Sequence, residues 1–377
     1  RRSRFLKIMG EKEEAEVVAE TAVTLAKSCK SLKLEAEANL ALAEALRREG
    51  DLSVVERYLE RALHLAQKAQ SPKVEADALR QMAHNLYYQG DYQGVLDNCR
   101  QVLDIYRRIG DRRGESRVLG NLGLALAHLN AYAQAGDYYE QALAIDREIG
   151  NLRGESSTFV NLGKIAFEQG RYEQAESYMQ QALRLFQETG TRGGESTALI
   201  NLGELSRTLG DFAGARAYYE RAGNIGRLLG AQGTECTVLN FRGVTLTMEA
   251  EYAGARDCHE QALTFCRENG YQSFEGKVLT DLGNALLGLE QLSEAVVAFQ
   301  EAAELRHQFQ QPHLFLESQA GLARVALAKG EPALALRYVE PILDYMTNHT
   351  LDGMEDPFLV YLTCYRVLRA SGDGRSH

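Results

Sequence analysis

The stretch NLGLALAHLNAYAQAGDYYEQAL, Asn121–Leu143, decides how this chain folds, because it returns 40 residues later as NLGKIAFEQGRYEQAESYMQQAL, Asn161–Leu183. The phrase before it returns at the same interval: IGDRRGES at 109–116, IGNLRGES at 149–156 and TGTRGGES at 189–196. We number units from residues 31, 71, 111, 151, 191, 231, 271 and 311. The thirteenth position is then Ala43, Ala83, Gly123, Gly163, Gly203, Gly243, Gly283 and Ala323, small in every unit. The twenty-fifth is Val or Ala in all eight, from Val55 to Ala335, and the fifth is Glu in seven, from Glu35 to Glu275. Columns held without a gap over eight units mean a tandem array.

Each unit has the grammar of two helices. GESSTFVNLGKIAFEQG, 154–170, spaces its apolar residues for a helix and stops at Gly170; RYEQAESYMQQALRLFQETG, 171–190, does the same and stops at Gly190. Glycine after the last periodic residue is a helix C-terminal signal. Ala175, Met179, Ala182, Leu183 and Leu185 form one apolar face of the second helix. The small thirteenth residue lets the paired helix approach. The bulky twenty-ninth (Tyr139, Met179, Tyr219, Phe299) fills the space between them. No strand is expected.

Composition narrows the function. With 377 residues, 45% hydrophobic and 25% charged, the chain is ordinary for a folded protein. Its net charge of −10 argues against a nucleic-acid or anionic-membrane surface, which needs a basic footprint. No apolar run approaches the roughly 18 residues of a membrane span, and no secretory signal opens the sequence. Six cysteines, sparse and without CxxC spacing, suggest neither a disulfide framework nor a zinc site. A reducing, cytoplasmic setting is the expectation.

The motif NLG followed by AxxYYxxAL, at Asn121–Gly123 and Ala135–Leu143, resembles the tetratricopeptide repeat. The spacing of 40 with GDRRGES at the join resembles its long variant, found in spindle-orientation adaptors, kinesin light chains and bacterial signalling ATPases. The ending TCYRVLRASGD, 363–373, resembles the C-terminal sensor arrays of bacterial STAND-type regulatory ATPases. The resemblance implies an all-α, right-handed α-solenoid of stacked helix-turn-helix units. Residues 31–350 read as eight units, 1–30 as a partial unit and 351–377 as a partial terminal unit, with Arg375–His377 read as a vector remnant and the whole as a piece of a longer bacterial protein. No Walker motif lies in it.

In the resembling family, first helices line a concave groove. The inward positions are then the seventh, tenth, eleventh, fourteenth, seventeenth and eighteenth of each unit. They include Arg117 and Asn121 in unit 3, and Val160, Asn161, Lys164 and Phe167 in unit 4. Unit 5 adds Ile200, Asn201 and Arg207, and unit 6 adds Phe241, Val244 and Met248. Asn121, Asn161 and Asn201 repeat at 40 and would form a ladder; an amide offers the donor and acceptor that a peptide backbone needs. The other reading has Asn tying one helix to its neighbour. Val160, Phe167, Ile200, Phe241, Val244 and Met248 would make an apolar partner surface, unless curvature buries some of them between units.

Chemistry other than binding finds little support. The chaperone carboxylate clamp of this family needs basic residues where unit 4 has Ser157 and Asn161. Cys258, His259 and Cys266 could suggest a metal or thiol site, but His259 stands in the packing column of Tyr219 and Phe299. The Glu column repeats too often to be catalytic and suits helix N-termini. We expect no catalytic residue, no metal and no cofactor. The partner would be a protein or peptide in the groove, without nucleic acid or membrane, in a sensor or scaffold of a signalling regulator. The alternative is self-association that oligomerises an attached effector. Column rules break together at the seam of units 5 and 6, at Gly223, Gly226 and Phe241-Arg242, as expected of a hinge, a pocket or repacked drift.

Overall fold

The computed structural model describes residues 12–46, 52–309, 311–349, 351, 354 and 356–372, and among these every regular element is a helix. In chain order they are α1 Lys12–Ser28, α2 Leu32–Leu46, α3 Leu52–Lys68, α4 Pro72–Gln89, α5 Tyr92–Ile109 and α6 Arg112–His128. Next come α7 Tyr132–Glu148, α8 Leu152–Glu168, α9 Tyr172–Glu188, α10 Arg192–Thr208, α11 Phe212–Leu229 and α12 Gln232–Met248. The last are α13 Tyr252–Asn269, α14 Gln272–Gly288, α15 Leu292–Gln308, α16 Pro312–Ala328, α17 Pro332–Met346 and α18 Pro357–Ser371. The even-numbered helices α2 to α16 are the first helices of repeats 1 to 8, and the odd-numbered α3 to α17 the second. Residues 1–10 of the partial first unit and Arg375–His377 lie outside the described residues.

Local chemistry sets the helix ends. The carboxylates of Asp91, Asp111 and Asp211 cap α5, α6 and α11 by accepting from the N–H groups of Gly94, Gly114 and Gly214 at 2.8, 2.9 and 2.9 Å. Helices stop at a left-handed residue every 20 positions, Gly90, Gly110, Gly150, Gly170 and onward. At five such positions the residue is not glycine; Ala250, at φ 62°, is one. An L-residue there carries a steric cost that glycine avoids. Ala250→Gly is therefore expected to stabilise the protein by about 1 kcal/mol, read as an upward shift of the unfolding midpoint in urea.

The chain divides into two compact units, residues 1–191 and 192–377. Each is an α-solenoid of stacked helix hairpins. Within a hairpin the small thirteenth residue meets the twenty-ninth as the sequence implies. A Cβ added to Gly123 would stand 2.7 Å from the Tyr139 ring, and one added to Gly203 2.5 Å from the Tyr219 ring. Tyr139, Met179, Tyr219, His259 and Phe299 are all buried. These are the close approaches that fix one helix on its partner.

Contacts that skip a helix join first helix to first helix. They run from α2 to α4 and α6 to α8 in the first unit, and from α10 through α12, α14 and α16 to α18 in the second. The row of first helices is thus the tighter row, which places it on the inner side of each unit's curvature. The Glu column does a separate job at the joins. Glu115 takes Arg107 Nε at 2.9 Å, Glu155 takes Arg147 Nε at 2.8 Å and Glu275 takes Arg267 Nε at 2.8 Å. Each pair ties the end of one helix to the start of the next, and the carboxylate sits in a first turn where the helix dipole favours it.

Candidate functional site

In the first unit, α4, α6 and α8 carry the candidate face. Arg117 and Lys164 are exposed, and Asn121, Asn161 and Phe167 are half-buried. Val160 corrects the expectation: it is only 7% exposed and belongs to the core, not to an apolar partner surface. The tenth position points toward the following first helix, so burial there is packing between repeats. Asn121 and Asn161 make no side-chain hydrogen bond among the described residues. Arg80 leans on Asp77 at 3.8 Å, and Asp77 accepts from the Tyr106 hydroxyl at 3.0 Å.

Beside these residues stands an aromatic cluster. His128 stacks on Tyr92, with centroids 4.7 Å apart and planes 8° apart, and its Nε2 is 2.8 Å from the Tyr87 hydroxyl. Burial lowers the pKa of His128, and the nearby charge of Lys164 adds to the shift. Phe167 packs on Tyr172 at 5.8 Å. Sequence reasoning passed over the twenty-second column (Tyr92, Tyr132, Tyr172, Phe212 and Tyr252), whose aromatic recurrence at 40 was visible. It borders the first-helix face: a Cβ on Gly288 would stand 2.4 Å from the Tyr252 ring, in the place His128 takes on Tyr92.

In the second unit the face is more tightly wired. Asn201 is 7% exposed, and its Nδ2 finds no hydrogen-bond acceptor in the structure. Ile200, Arg207, Phe241 and Val244 are half-buried, while Met248 is exposed. Phe241 stacks on Tyr219, 5.8 Å between centroids and 11° between planes, and Lys277 Nζ lies 6.0 Å from its ring centre. Arg207 Nη1 reaches Met248 Sδ at 3.3 Å and Glu204 lies 3.9 Å away. Asn240 Nδ2 donates to Asp281 at 2.7 Å, and Asn240 Oδ1 meets His259 Nδ1 at 2.8 Å. Asn284 accepts from Arg324 at 2.6 Å. Here asparagines do hold helix to helix, at the tenth and fourteenth positions.

The candidate metal or thiol trio does not converge. His259 is turned to Asn240, and Cys266 Sγ lies 3.0 Å from Cys236 Sγ. Burial, reinforced by the charge of Lys277, pulls the His259 imidazole down to about 3, so it is neutral at pH 7. No group of three metal-ligating side chains occurs among the described residues. None of the helices among them is long and apolar enough to cross a membrane.

At the seam of repeats 5 and 6 neighbouring side chains pack against both glycines. A Cβ at Gly226 would stand 2.9 Å from Thr234, which occupies the room a side chain would take. Gly223 faces Val238 at an ordinary 3.4 Å, and Phe241 is held by Tyr219. Arg242 is exposed.

The tetratricopeptide repeat profile matches residues 74–148 and 154–226. Residues 74–148 and 154–226 are thus tetratricopeptide repeats, and the same hairpins at a period of 40 continue along the rest of the described residues. Comparison with curated protein sequences gives no match. Solved structures share the fold at low identity. The apo quorum sensor NprR of B. thuringiensis aligns with TM-score 0.63 and 16% identity over 92% of this chain and 97% of its own. The Rap conjugation gene regulator of plasmid pLS20, in complex with the Phr* peptide, gives 0.59 and 15% over 76% and 77%. A STAND signal-transduction ATPase with a tetratricopeptide repeat sensor, from Pyrococcus horikoshii, gives 0.51 and 15% over 89% of this chain and 53% of its own. The array thus resembles in fold that of a STAND protein.

Proposed function

We propose that this array binds a peptide or protein segment along the first-helix face of its repeats, as the sensing or scaffolding part of a larger bacterial signalling regulator. The observation that carries the proposal is the pair of half-buried Asn121 and Asn161 amides, which make no side-chain hydrogen bond among the described residues and match the N–H and C=O groups of a peptide backbone. Asn201 occupies the same column in the second unit, but its Nδ2 is sealed from solvent. A peptide-bound regulator and a sensor-bearing ATPase of the same fold support the two halves of the reading. The setting we propose is cytoplasmic, and the face offers no catalytic constellation.

The test uses a peptide enriched on the full chain from a phage-displayed library of random twelve-residue sequences. Asn121→Ala with Asn161→Ala, both in the first unit, is expected to weaken its binding by roughly 1–3 kcal/mol in calorimetry, with little change in melting temperature. Full affinity combined with a melting temperature several degrees lower would make the asparagines structural and overturn the proposal.

A further inference from the structure

The two units treat the cations of their first-helix faces differently. In the second, Arg207 and Lys277 each have a carboxylate nearby, Glu204 at 3.9 Å and Asp281 at 3.9 Å, and Arg324 is bonded to Asn284. In the first, Arg117 and Lys164 enter no ion pair among the described residues, though both are exposed. This is notable in a chain with 52 acidic against 42 basic residues, where carboxylates are plentiful. The arginines at the repeat joins each found one: Arg107, Arg112 and Arg147 are all paired to the Glu column. Around Arg117 the positions one turn away are Arg113, Gly114, Gly120 and Asn121, none acidic. Its charge acts on Asp111 at the cap of α6, but that carboxylate is paired with Lys73 at 3.0 Å, and Arg117 forms no ion pair.

The placement of these cations has a pattern. On α6, Asn121 follows Arg117 by four residues; on α8, Lys164 follows Asn161 by three. Residues three or four apart share a helix face about 5–6 Å apart. Each helix thus offers an uncommitted amide with a cation one turn away. An extended segment could set a backbone amide on the first and a carboxylate on the second. Burial lowers the pKa of His128, and the charge of Lys164 nearby lowers it further. The aromatic pairs His128–Tyr92 and Phe167–Tyr172 bound it with fixed apolar surface.

We infer that the segment bound on repeats 3 and 4 is acidic, with carboxylates meeting Arg117 and Lys164 beside backbone contacts to Asn121 and Asn161. This rests on the peptide-binding proposal above and adds the chemistry of the ligand. A face with two unpaired cations in an otherwise acidic molecule selects by charge, since a basic segment would meet repulsion there and attraction elsewhere.

The experiment is the same random twelve-residue phage library, panned in parallel on the wild-type full chain and on Arg117→Glu/Lys164→Glu. Both side chains are exposed, so the variant is expected to fold; matching far-ultraviolet circular dichroism melts check this. Wild type should enrich peptides rich in Asp and Glu, and the variant should shift enrichment toward Lys and Arg. A synthetic acidic peptide from the wild-type selection should bind the variant at least about tenfold more weakly, and its wild-type affinity should fall as salt rises from 50 to 500 mM, as screening requires. Peptides enriched without acidic excess, or indifferent to the charge reversal, would overturn the inference and leave peptide binding standing. Enrichment of no peptide by either protein would overturn peptide binding and the inference with it.

Discussion

Gly321→Ala is expected to destabilise the second unit by about 3 kcal/mol, the upper end of what overpacking usually costs. The ring of Phe299 is fully buried and caught between two backbones. A Cβ at Gly321 would stand 2.4 Å from it, and a Cβ at Gly283 on its other contact 2.7 Å. The Arg324 guanidinium lies 5.8 Å from the ring centre as well. The ring cannot withdraw from one glycine without meeting another neighbour, so the helices α14 and α16 must part. Gly283→Ala should cost a comparable amount. Gly193→Ala is the control: its added Cβ meets nothing within 4 Å, and it lies in the first turn of α10, so the change is expected to be neutral to slightly stabilising. Urea unfolding followed by hydrogen exchange in α14–α16 reads the difference. If Gly321→Ala unfolds at the wild-type midpoint, the ring is not clamped. Phe299→Leu should restore part of the loss in Gly321→Ala, because the smaller side chain vacates the contact.

Acid should weaken the same unit through His259. Its imidazole is fully buried, donates Nδ1–H to Asn240 and titrates at about 3, whereas an unfolded histidine titrates near 6.5. The folded state therefore keeps it neutral while the unfolded state gains a proton as pH falls below 6.5. Stability from this group is full above that value, declines as pH falls, and stops declining near 3, where the folded state also protonates. Between pH 7 and 5 the loss is about 2 kcal/mol, at 1.36 kcal/mol per unit. His259→Phe places in this column the residue that Phe299 supplies one repeat later in the array. It should remove most of that pH dependence while lowering stability at pH 7, since Asn240 Oδ1 loses its donor. His128 and His313 are also held below the ordinary value by burial, so a smaller slope of the same sign remains. Parallel pH profiles for variant and wild type would show His259 uninvolved.

The hairpin core was legible because it depends on a fixed pair of positions. A small residue at thirteen and a bulky one at twenty-nine repeat together, and even His259 declares its role by standing in that column. The first-helix face was less legible. The tenth position reads as inward in every repeat, yet Val160 is core and Asn240 is bonded to the next helix, because that column looks along the stack as much as out of it. The difference between a committed and an uncommitted asparagine lies in what the neighbouring repeat places against it. Asn240 finds Asp281, 41 residues on, whereas Asn201 Nδ2 finds no acceptor. The pairing of Gly226 with Thr234 is likewise a matter of two residues compensating across a turn, visible only once their backbones are placed.

The most direct measurement of peptide binding on the first-helix face is a titration watched at the asparagine side chains. Protein labelled with nitrogen-15 only at Asn would be titrated with a peptide enriched from the random twelve-residue library. The face predicts that the Nδ2 signals of Asn121 and Asn161 move on binding, while those of Asn130 and Asn151, in the turns between helices, stay in place. Movement confined to the turn asparagines, with the two first-helix signals unchanged at saturation, would contradict it.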